Sequence, residues 1–562
     1  MGYAKHVTKP KFTHQKIQAR PDQVQNNAGG YVFKADDWVR LDRFLILGNE
    51  AGTYYASEKD MTIENYDIVR NLIQANGAKV VDRICEISKS RRAAKNLPAI
   101  FALAVCSVFG DQATRTYANR RMREVCRFST DMFRWVDIVN TLKQGKHGKG
   151  LHRALGWWYV SNPVRDLTYQ VCKYPHRKTD EMEQAWSHRD ILRLIKIGPN
   201  RKTRRGTPDV ALLRPSVKYD HVFNYAVNGR TGFDDEKFAA LNDDEELRYI
   251  YGHEMAKQTK DANTMVRLIK DYRLTLESVP NNLLTPAVWK ALLVDMPMNA
   301  LVRNMNRMTA ACIFEPMSNE LHLACDKLTN EEQIQRAGLH PMNILKAHRQ
   351  YAQGHGDKGD LQWTPVQKIM DALDDAFDKA FACVEPSGKA ILTAIDMSGS
   401  MQGSCCNGCQ LIDAATATAV MAMVVARREK NSHIIGFHDA LESRLSLSAK
   451  DTLETATQKM DRLRQFRGTD CSLPIMYALQ KNIKVDAFVI MTDGETWAGH
   501  QHPFQALQEY RRRMNPQTRC VVVAFSATGF SIMPPEDSLT LNIAGLDTAT
   551  PQLISDFAAG RI

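Results

Sequence analysis

Asp396, Ser398 and Ser400 stand in the run Asp396-Met397-Ser398-Gly399-Ser400, a D-x-S-x-S spacing that gathers one carboxylate and two hydroxyls on a single turn. Two further short runs carry matching chemistry: Gly468-Thr469-Asp470 and Thr492-Asp493-Gly494. Asp396, Ser398, Ser400, Thr469 and Asp493 are all hard oxygen donors, the kind that Mg2+, Mn2+ or Ca2+ takes. Hydroxyls neutralise little charge, so an ion held this way keeps the capacity to attract an anionic group or a water. Asp and Ser in such runs also act as turn formers and helix caps. It is the order of three such runs within one domain that points to a metal. The expectation is one divalent cation, Mg2+ first, with Mn2+ or Ca2+ as alternatives.

The elements around these runs must place them together. After Pro386, short apolar runs alternate with helical patterns. Residues 390–395, 433–437, 487–491 and 520–525 read as strands, and 539–544 as an edge strand. Residues 411–428, 451–463, 504–514 and 551–559 read as helices. Strands continuous in Ile, Val and Leu and separated by helices imply a parallel sheet covered on both faces, a doubly wound α/β domain. The first strand runs out into Asp396, and ligands bind at the carboxyl ends of such strands.

The chain before this domain has a different grammar. Residues from about 35 to 350 read as helix after helix. Residues 63–75 place Ile68, Val69, Leu72 and Ile73 on one face, Pro98 opens a second helix, and Thr285-Pro286 opens another. Such a series suggests an α-solenoid, although no fixed-period repeat stands out. The loop at 353–360 contains G-x-G-x-x-G, but a helix precedes it where a dinucleotide site needs a strand, so it reads as a linker. The expected domains are a flexible segment 1–30, a helical region 31–360 and the α/β domain 361–562.

At 562 residues the chain exceeds a single core, and 44% apolar residues argue for a folded protein. The formal charge is +11, and much of the excess falls before residue 210. One cluster includes Arg120, Arg121, Arg123, Lys149 and Arg153, and a second includes Lys173, Arg177 and Arg193. Gathered cations suggest a polyanionic partner, whereas the plainer reading is a set of solvated helix faces. The start of the chain shows no apolar leader, no run is long enough to span a bilayer, and the 12 cysteines are mostly scattered singly in apolar runs. Together these suggest a soluble cytoplasmic protein with reduced thiols.

Enzyme signatures are weak. His253-Glu254 begins like a zincin, but Lys257 stands where the second histidine belongs, and there is no phosphate-binding Walker loop or nucleophile elbow. Cys406 and Cys409 form C-x-x-C without a second pair to complete a zinc site. A metal-dependent nuclease or hydrolase, or an adhesion scaffold, are the alternatives to a binding protein.

The three metal-loop runs resemble the metal-ion-dependent adhesion site of von Willebrand factor A (VWA) domains, and the resemblance implies Asp396, Ser398, Ser400 and Thr469 as ligands, with Asp493 acting directly or through water. The helical region resembles the TROVE domain of the Ro 60-kDa autoantigen family. The matching runs include Arg43-Phe44-Leu45-Ile46-Leu47-Gly48, Phe101-Ala102-Leu103-Ala104-Val105-Cys106-Ser107, Trp186-Ser187-His188-Arg189-Asp190, Val288-Trp289-Lys290-Ala291-Leu292-Leu293 and Gly468-Thr469-Asp470-Cys471-Ser472-Leu473-Pro474. The resemblance implies a ring of HEAT-like helical repeats closed by the VWA domain. It implies small noncoding Y-like RNA on the outer surface, single-stranded 3′ ends of misfolded RNA in a central hole, and cooperation with an exoribonuclease such as polynucleotide phosphorylase. A non-catalytic monomer is expected, with RNA contacts from Arg120, Arg121, Arg123, Lys149, Arg153, Lys173, Arg177, His188 and Arg193. For His188 the alternative is a capped or buried position in the helix start Ser187-His188-Arg189-Asp190.

Overall fold

The computed structural model describes residues 12–48, 58–146, 148–173, 186–197, 216–356, 360–381, 385–403, 405–406, 409–463, 466–545 and 547–562. From Asp37 to Lys379 the described chain is a succession of helices. Many begin where the sequence offers a cap or a first-turn proline: Asp36, Asp111, Asp261, Ser318 and Asn330 accept backbone N–H groups, and Pro98, Pro286 and Pro341 occupy first turns. The long helix Glu58–Lys89 breaks its geometry at Asn76, whose side chain accepts the N–H of Lys79 at 3.0 Å and so caps the second half.

Successive helices pack on the next and on the next but one. Glu58–Lys89 lies against Leu97–Phe109 and Gln112–Val125, Leu97–Phe109 against Ser129–Leu142, and Gln112–Val125 against Lys149–Ser161. This is the stacking of a helical-repeat solenoid. Its first core is anchored by Trp135 and Trp158, both fully buried, and truncating either would cost about 3–5 kcal/mol. The arc returns on itself. Arg91 donates to the carbonyl of Arg336 at 3.0 Å, and His340 Nε2 lies 2.9 Å from the carbonyl of Arg92. The loop after the second helix therefore meets the last repeats.

The C-terminal part is a six-stranded sheet with helices on both faces. Its strands are β3 (Ile391–Asp396), β6 (Ser432–Phe437), β7 (Leu441–Glu442), β8 (Ala487–Thr492), β9 (Arg519–Ala524) and β11 (Thr540–Ala544), following β1 (Gln23–Gln25) and β2 (Tyr31–Lys34) at the start of the chain. The small pieces β4 (Cys405–Cys406), β5 (Cys409–Asp413) and β10 (Phe530–Ser531) lie outside the main sheet. The order is β11-β9-β8-β3-β6-β7, parallel except for the edge strand β7. β3 and β8 are buried along their whole length, as their unbroken apolar runs require. After β3 the chain pairs on one side with β6 and later returns on the other with β8, so the two meet at the topological switch point, where a crevice opens at the strand ends.

Two expectations about domain limits are corrected. Residues 12–30 are not a loose segment: β1 and β2 pair, and β2 extends to β10. Gln15, Gln23 and Asn26 are buried, because these polar side chains hydrogen-bond to the C-terminal domain. The helix Gln367–Lys379 packs on Asn319–Thr329 and Pro341–Ala352, burying Ile369, Leu373 and Phe377, so it finishes the helical arc. The α/β domain then starts at β3.

Candidate metal centre and nucleic-acid interface

The residues of the three predicted runs meet at the carboxyl ends of β3 and β8. Asp396 ends β3, and its Oδ1 accepts the N–H of Ser398 at 2.9 Å, folding the D-x-S-x-S turn back on itself. Its other oxygen accepts the Thr492 hydroxyl at 2.6 Å. Ser398 and Ser400 stand with their hydroxyls 3.1 Å apart, and Ser400 hydrogen-bonds to Asp493. Asp493 follows β8 and accepts the N–H of Glu495 at 2.9 Å. All five predicted residues are buried.

Burial and like charge set the electrostatics of the pocket. Burial, and then the neighbouring Asp493 carboxylate, push Asp396 up to about 7. Burial also raises Asp493. Burial, and then Asp493, push Glu495 up to about 8. Thr469 Oγ1 is buried and makes no hydrogen bond. Two carboxylates in mutual repulsion and an orphaned hydroxyl make a donor set that suits a hard divalent cation. Among the described residues no group of three or more His, Cys, Asp or Glu side chains has metal-holding geometry, here or elsewhere, so the donors of this pocket beyond Asp396 and Asp493 are hydroxyls. Thr492 and Glu495 were not singled out from the sequence; Thr492 was visible only as the neighbour of Asp493.

The predicted RNA residues divide. Arg120, Lys149, Arg153 and Arg193 are exposed on their helices. Arg121 is turned inward to Asp82 and Glu124, and Lys173 is paired with Glu277 at 2.6 Å. Arg177 lies outside the described residues. His188 is corrected: it is fully buried, with Nδ1 2.7 Å from the Tyr159 hydroxyl and Nε2 2.8 Å from Ser129 Oγ. Ser187 and Asp190 close the capping box around it, and burial depresses its basicity to about 3. It offers no ring face to an external base.

Arg123 is exposed and lies within hydrogen-bond distance of Asn162, at 3.1 Å. It stands at the rim of a cavity of about 970 Å³. The walls bring Arg127, Arg165, Arg248, Lys270 and Arg273 together with Phe128, Tyr169, Tyr249 and Tyr272. Acids are present as well, at Asp166, Glu245, Glu246 and Asp271. Glu246 is already paired with Lys218 at 2.6 Å. Phe128 is 61% exposed although it is a large apolar side chain. Cations interleaved with accessible aromatic rings can neutralise phosphates and stack bases at once. Arg127 and Arg165 belong to the basic stretches of the sequence, but Arg248, Lys270 and Arg273 come from a distant part of the chain and needed the fold to reach them.

Comparison with known proteins agrees with this architecture. Residues 24–350 match the TROVE domain, and residues 390–558 match the Ro60 vWA domain. A Deinococcus radiodurans relative, "RNA-binding protein RO60", is 33% identical, with 96% of each chain covered. A Caenorhabditis elegans protein of the same name is 30% identical over 98% of this chain and 92% of its own. The crystal structure of Deinococcus radiodurans RO (RSR) protein superposes with a TM-score of 0.67 at 31% identity, covering 94% of this chain and all of that one. With both of its domains matched in order and nearly its whole length aligned, this chain belongs to the Ro60 family of TROVE-domain proteins.

Proposed function

We propose that this protein binds RNA as the core of a ribonucleoprotein and serves RNA quality control. The observation that carries the reading is the cavity lined by Arg123, Arg127, Arg165 and Arg248 with Phe128, Tyr169 and Tyr249. Its mixture of cations and rings suits an unpaired strand, such as the free 3′ end of a misfolded transcript. The exposed Arg120, Lys149, Arg153 and Arg193 would serve a folded, Y-like small RNA held mainly through phosphates. The names of the relatives support RNA as the partner.

In this reading the metal pocket grips and does not cut. Asp396, Ser398, Ser400, Thr469 and Asp493 would hold one divalent ion, Mg2+ or otherwise Mn2+ or Ca2+, which supplies a positive centre for an acidic side chain of a protein partner such as an exoribonuclease. Cys85, Cys106, Cys126, Cys172, Cys471 and Cys520 are free and buried, which supports a cytoplasmic, reducing location. Among the described residues no helix is long and apolar enough to cross a membrane.

Fluorescence anisotropy of the full chain with a labelled single-stranded oligonucleotide, a duplex, and a duplex carrying a 3′ tail, over a series of salt concentrations, tests this. The tailed duplex should bind with an affinity that falls steeply with salt, and Arg123→Glu with Arg165→Glu should weaken it at least tenfold. Salt-independent binding, or cleavage of the RNA in Mg2+ that is lost in Asp396→Ala, would overturn the reading.

A further inference from the structure

The residues of the metal pocket sit on separate loops, and a side chain from the far end of the sequence bridges two of them. Gln15 is completely buried. Its amide nitrogen donates to Asp470 Oδ1 at 2.8 Å and to the carbonyl of Gln501 at 2.9 Å. Its amide oxygen accepts the Thr496 hydroxyl at 2.7 Å. Its backbone N–H donates to the carbonyl of Gly499 at 3.0 Å, and its carbonyl accepts the N–H of Tyr31 at 2.8 Å. Both amide hydrogens and the amide oxygen of the side chain are thereby engaged.

These partners fall into two groups. Asp470 follows Thr469 directly and also accepts the Ser472 hydroxyl at 2.6 Å, fixing the turn that presents Thr469. Thr496, Gly499 and Gln501 belong to the loop that leaves β8 through Asp493. Thr496 Oγ1 accepts the N–H of Cys471 at 3.1 Å, and the N–H groups of Trp497 and Ala498 donate to the carbonyl of Thr469 at 3.0 and 2.9 Å. The Thr469 loop and the Asp493 loop are thus laced together with Gln15 at the seam. The approach is close enough that a methyl group on Gly499 would stand 2.3 Å from Gln15 Nε2 and 2.3 Å from Asp470 Oδ1. Below the seam, Asn26 Nδ2 donates to the Thr496 carbonyl at 2.9 Å, and Asn27 Nδ2 donates to Glu495 Oε1 at 2.8 Å.

We propose that Gln15 is a positioning residue for the metal pocket: it locks the Thr469 and Asp493 loops at the mutual distance a divalent ion requires, so the N-terminal segment is a working part of the C-terminal site. This rests on the metal reading of Asp396, Ser398, Ser400, Thr469 and Asp493. Preorganised donors bind an ion without first having to be ordered, and a loop freed from its lock must be ordered by the ion itself.

The test uses the full chain and Mn2+ alone as the probe, with free Mn2+ followed by electron paramagnetic resonance well below the melting temperature. Four variants are compared with the unaltered chain. Asp396→Ala removes a ligand. Gln15→Met keeps the shape but loses the amide. Thr496→Val removes the hydroxyl at the other end of the same hydrogen bond, and with it the acceptor for the Cys471 N–H. Gln25→Ala alters an exposed position of the segment. One Mn2+ should bind the unaltered chain and Gln25→Ala alike, and none should bind Asp396→Ala. Gln15→Met and Thr496→Val should each bind about tenfold more weakly. Affinity in Gln15→Met equal to that of the unaltered chain, with Asp396→Ala still silent, would overturn the positioning role whatever Thr496→Val shows, and leave the metal reading standing. Absence of Asp396-dependent binding in the unaltered chain would overturn both. Should Gln15→Met fail to fold, Gln15→Asn, whose shorter amide cannot reach both loops at once, decides by the same criterion.

Discussion

Arg92, on the loop after the second helix, forms an ion pair of 2.6 Å with Asp547, which lies just after the last strand of the sheet. The Asp547 side chain is 1% exposed and that of Arg92 14%. Asp547 also accepts the N–H of Ala549 at 3.0 Å at the start of the final helix, while the carbonyl of Arg92 lies against His340. One residue therefore touches the first repeats, the last repeats and the α/β domain. The pair closes the ring where its two ends and its third component meet.

Removing the cation alone would leave Asp547 buried without a countercharge. Arg92→Met should therefore destabilise the protein by roughly 3–5 kcal/mol, the cost of breaking one side of a buried pair. Urea denaturation reads the loss, and small-angle scattering below the transition should show an enlarged radius of gyration as the arc opens. A variant with unchanged midpoint and unchanged radius would mean that the helix contacts close the ring without this pair.

The buried histidines give the fold a definite pH dependence. Burial holds His188 at about 3, and His253 and His348 at about 4. All three are lowered relative to the unfolded chain, so between these values and about 6.5 the unfolded state binds protons that the folded state refuses. Stability is thus fully present above that window and falls as pH drops, by about 1.4 kcal/mol per pH unit for each histidine. Urea midpoints at pH 7.5 and 5.5 should show the fall. In His188→Gln the slope should be shallower by roughly 1.4 kcal/mol per unit, with RNA affinity at pH 7.5 unchanged. Selective loss of RNA binding in a stable His188→Gln would reinstate this residue as a contact.

Stacking and charge in the cavity should separate experimentally. Phe128→Ala removes an exposed ring and should weaken single-strand binding by about 1–3 kcal/mol without altering its salt slope. Arg165→Ala should instead reduce the salt slope by roughly 0.7, the value expected per phosphate on a single strand. Anisotropy titrations at several salt concentrations distinguish the two. Identical behaviour of both variants would argue against division of labour in the cavity.

The parallel sheet, and the meeting of Asp396, Ser398, Ser400 and Asp493 at its strand ends, could be read almost residue by residue, because both depend on local signals. Fully buried strands must be continuous in apolar residues, and the polar turn at the strand end follows directly, as Asp396 follows residues 391–395. The RNA-facing residues could not. Charge alone does not separate Arg121, which is drawn in by Asp82 and Glu124, from Arg120, which is exposed one residue earlier. For His188 the family resemblance implied an RNA contact, whereas its own neighbours Ser187 and Asp190 serve the helix start and the ring points into the core. The N-terminal segment misled in the same way. Its glutamines and asparagines have the composition of a solvated tail, and only the tertiary structure shows that their amides are met by Asp470, Gln501, Thr496 and Glu495.

The docking of that segment also depends on a residue with no side chain. A methyl group on Gly30 would stand 1.9 Å from the carbonyl oxygen of Thr496 and 3.0 Å from the Cα of Trp497. These are backbone atoms of the Asp493 loop and cannot rotate away. The backbone of Gly30 is in addition held by Asn26, through its N–H to Oδ1 at 2.7 Å and its carbonyl to the Asn26 N–H at 2.7 Å. Gly30→Ala must therefore push the segment off the loop or distort the loop, at a cost of about 1–3 kcal/mol. Limited proteolysis should show faster cleavage within residues 12–30 while the helical core stays intact, and the melting temperature should fall. If Gly30→Ala were as resistant and as stable as the unaltered chain, the segment would have another way to dock, and the tight approach of Gly30 to Thr496 would not be needed for it.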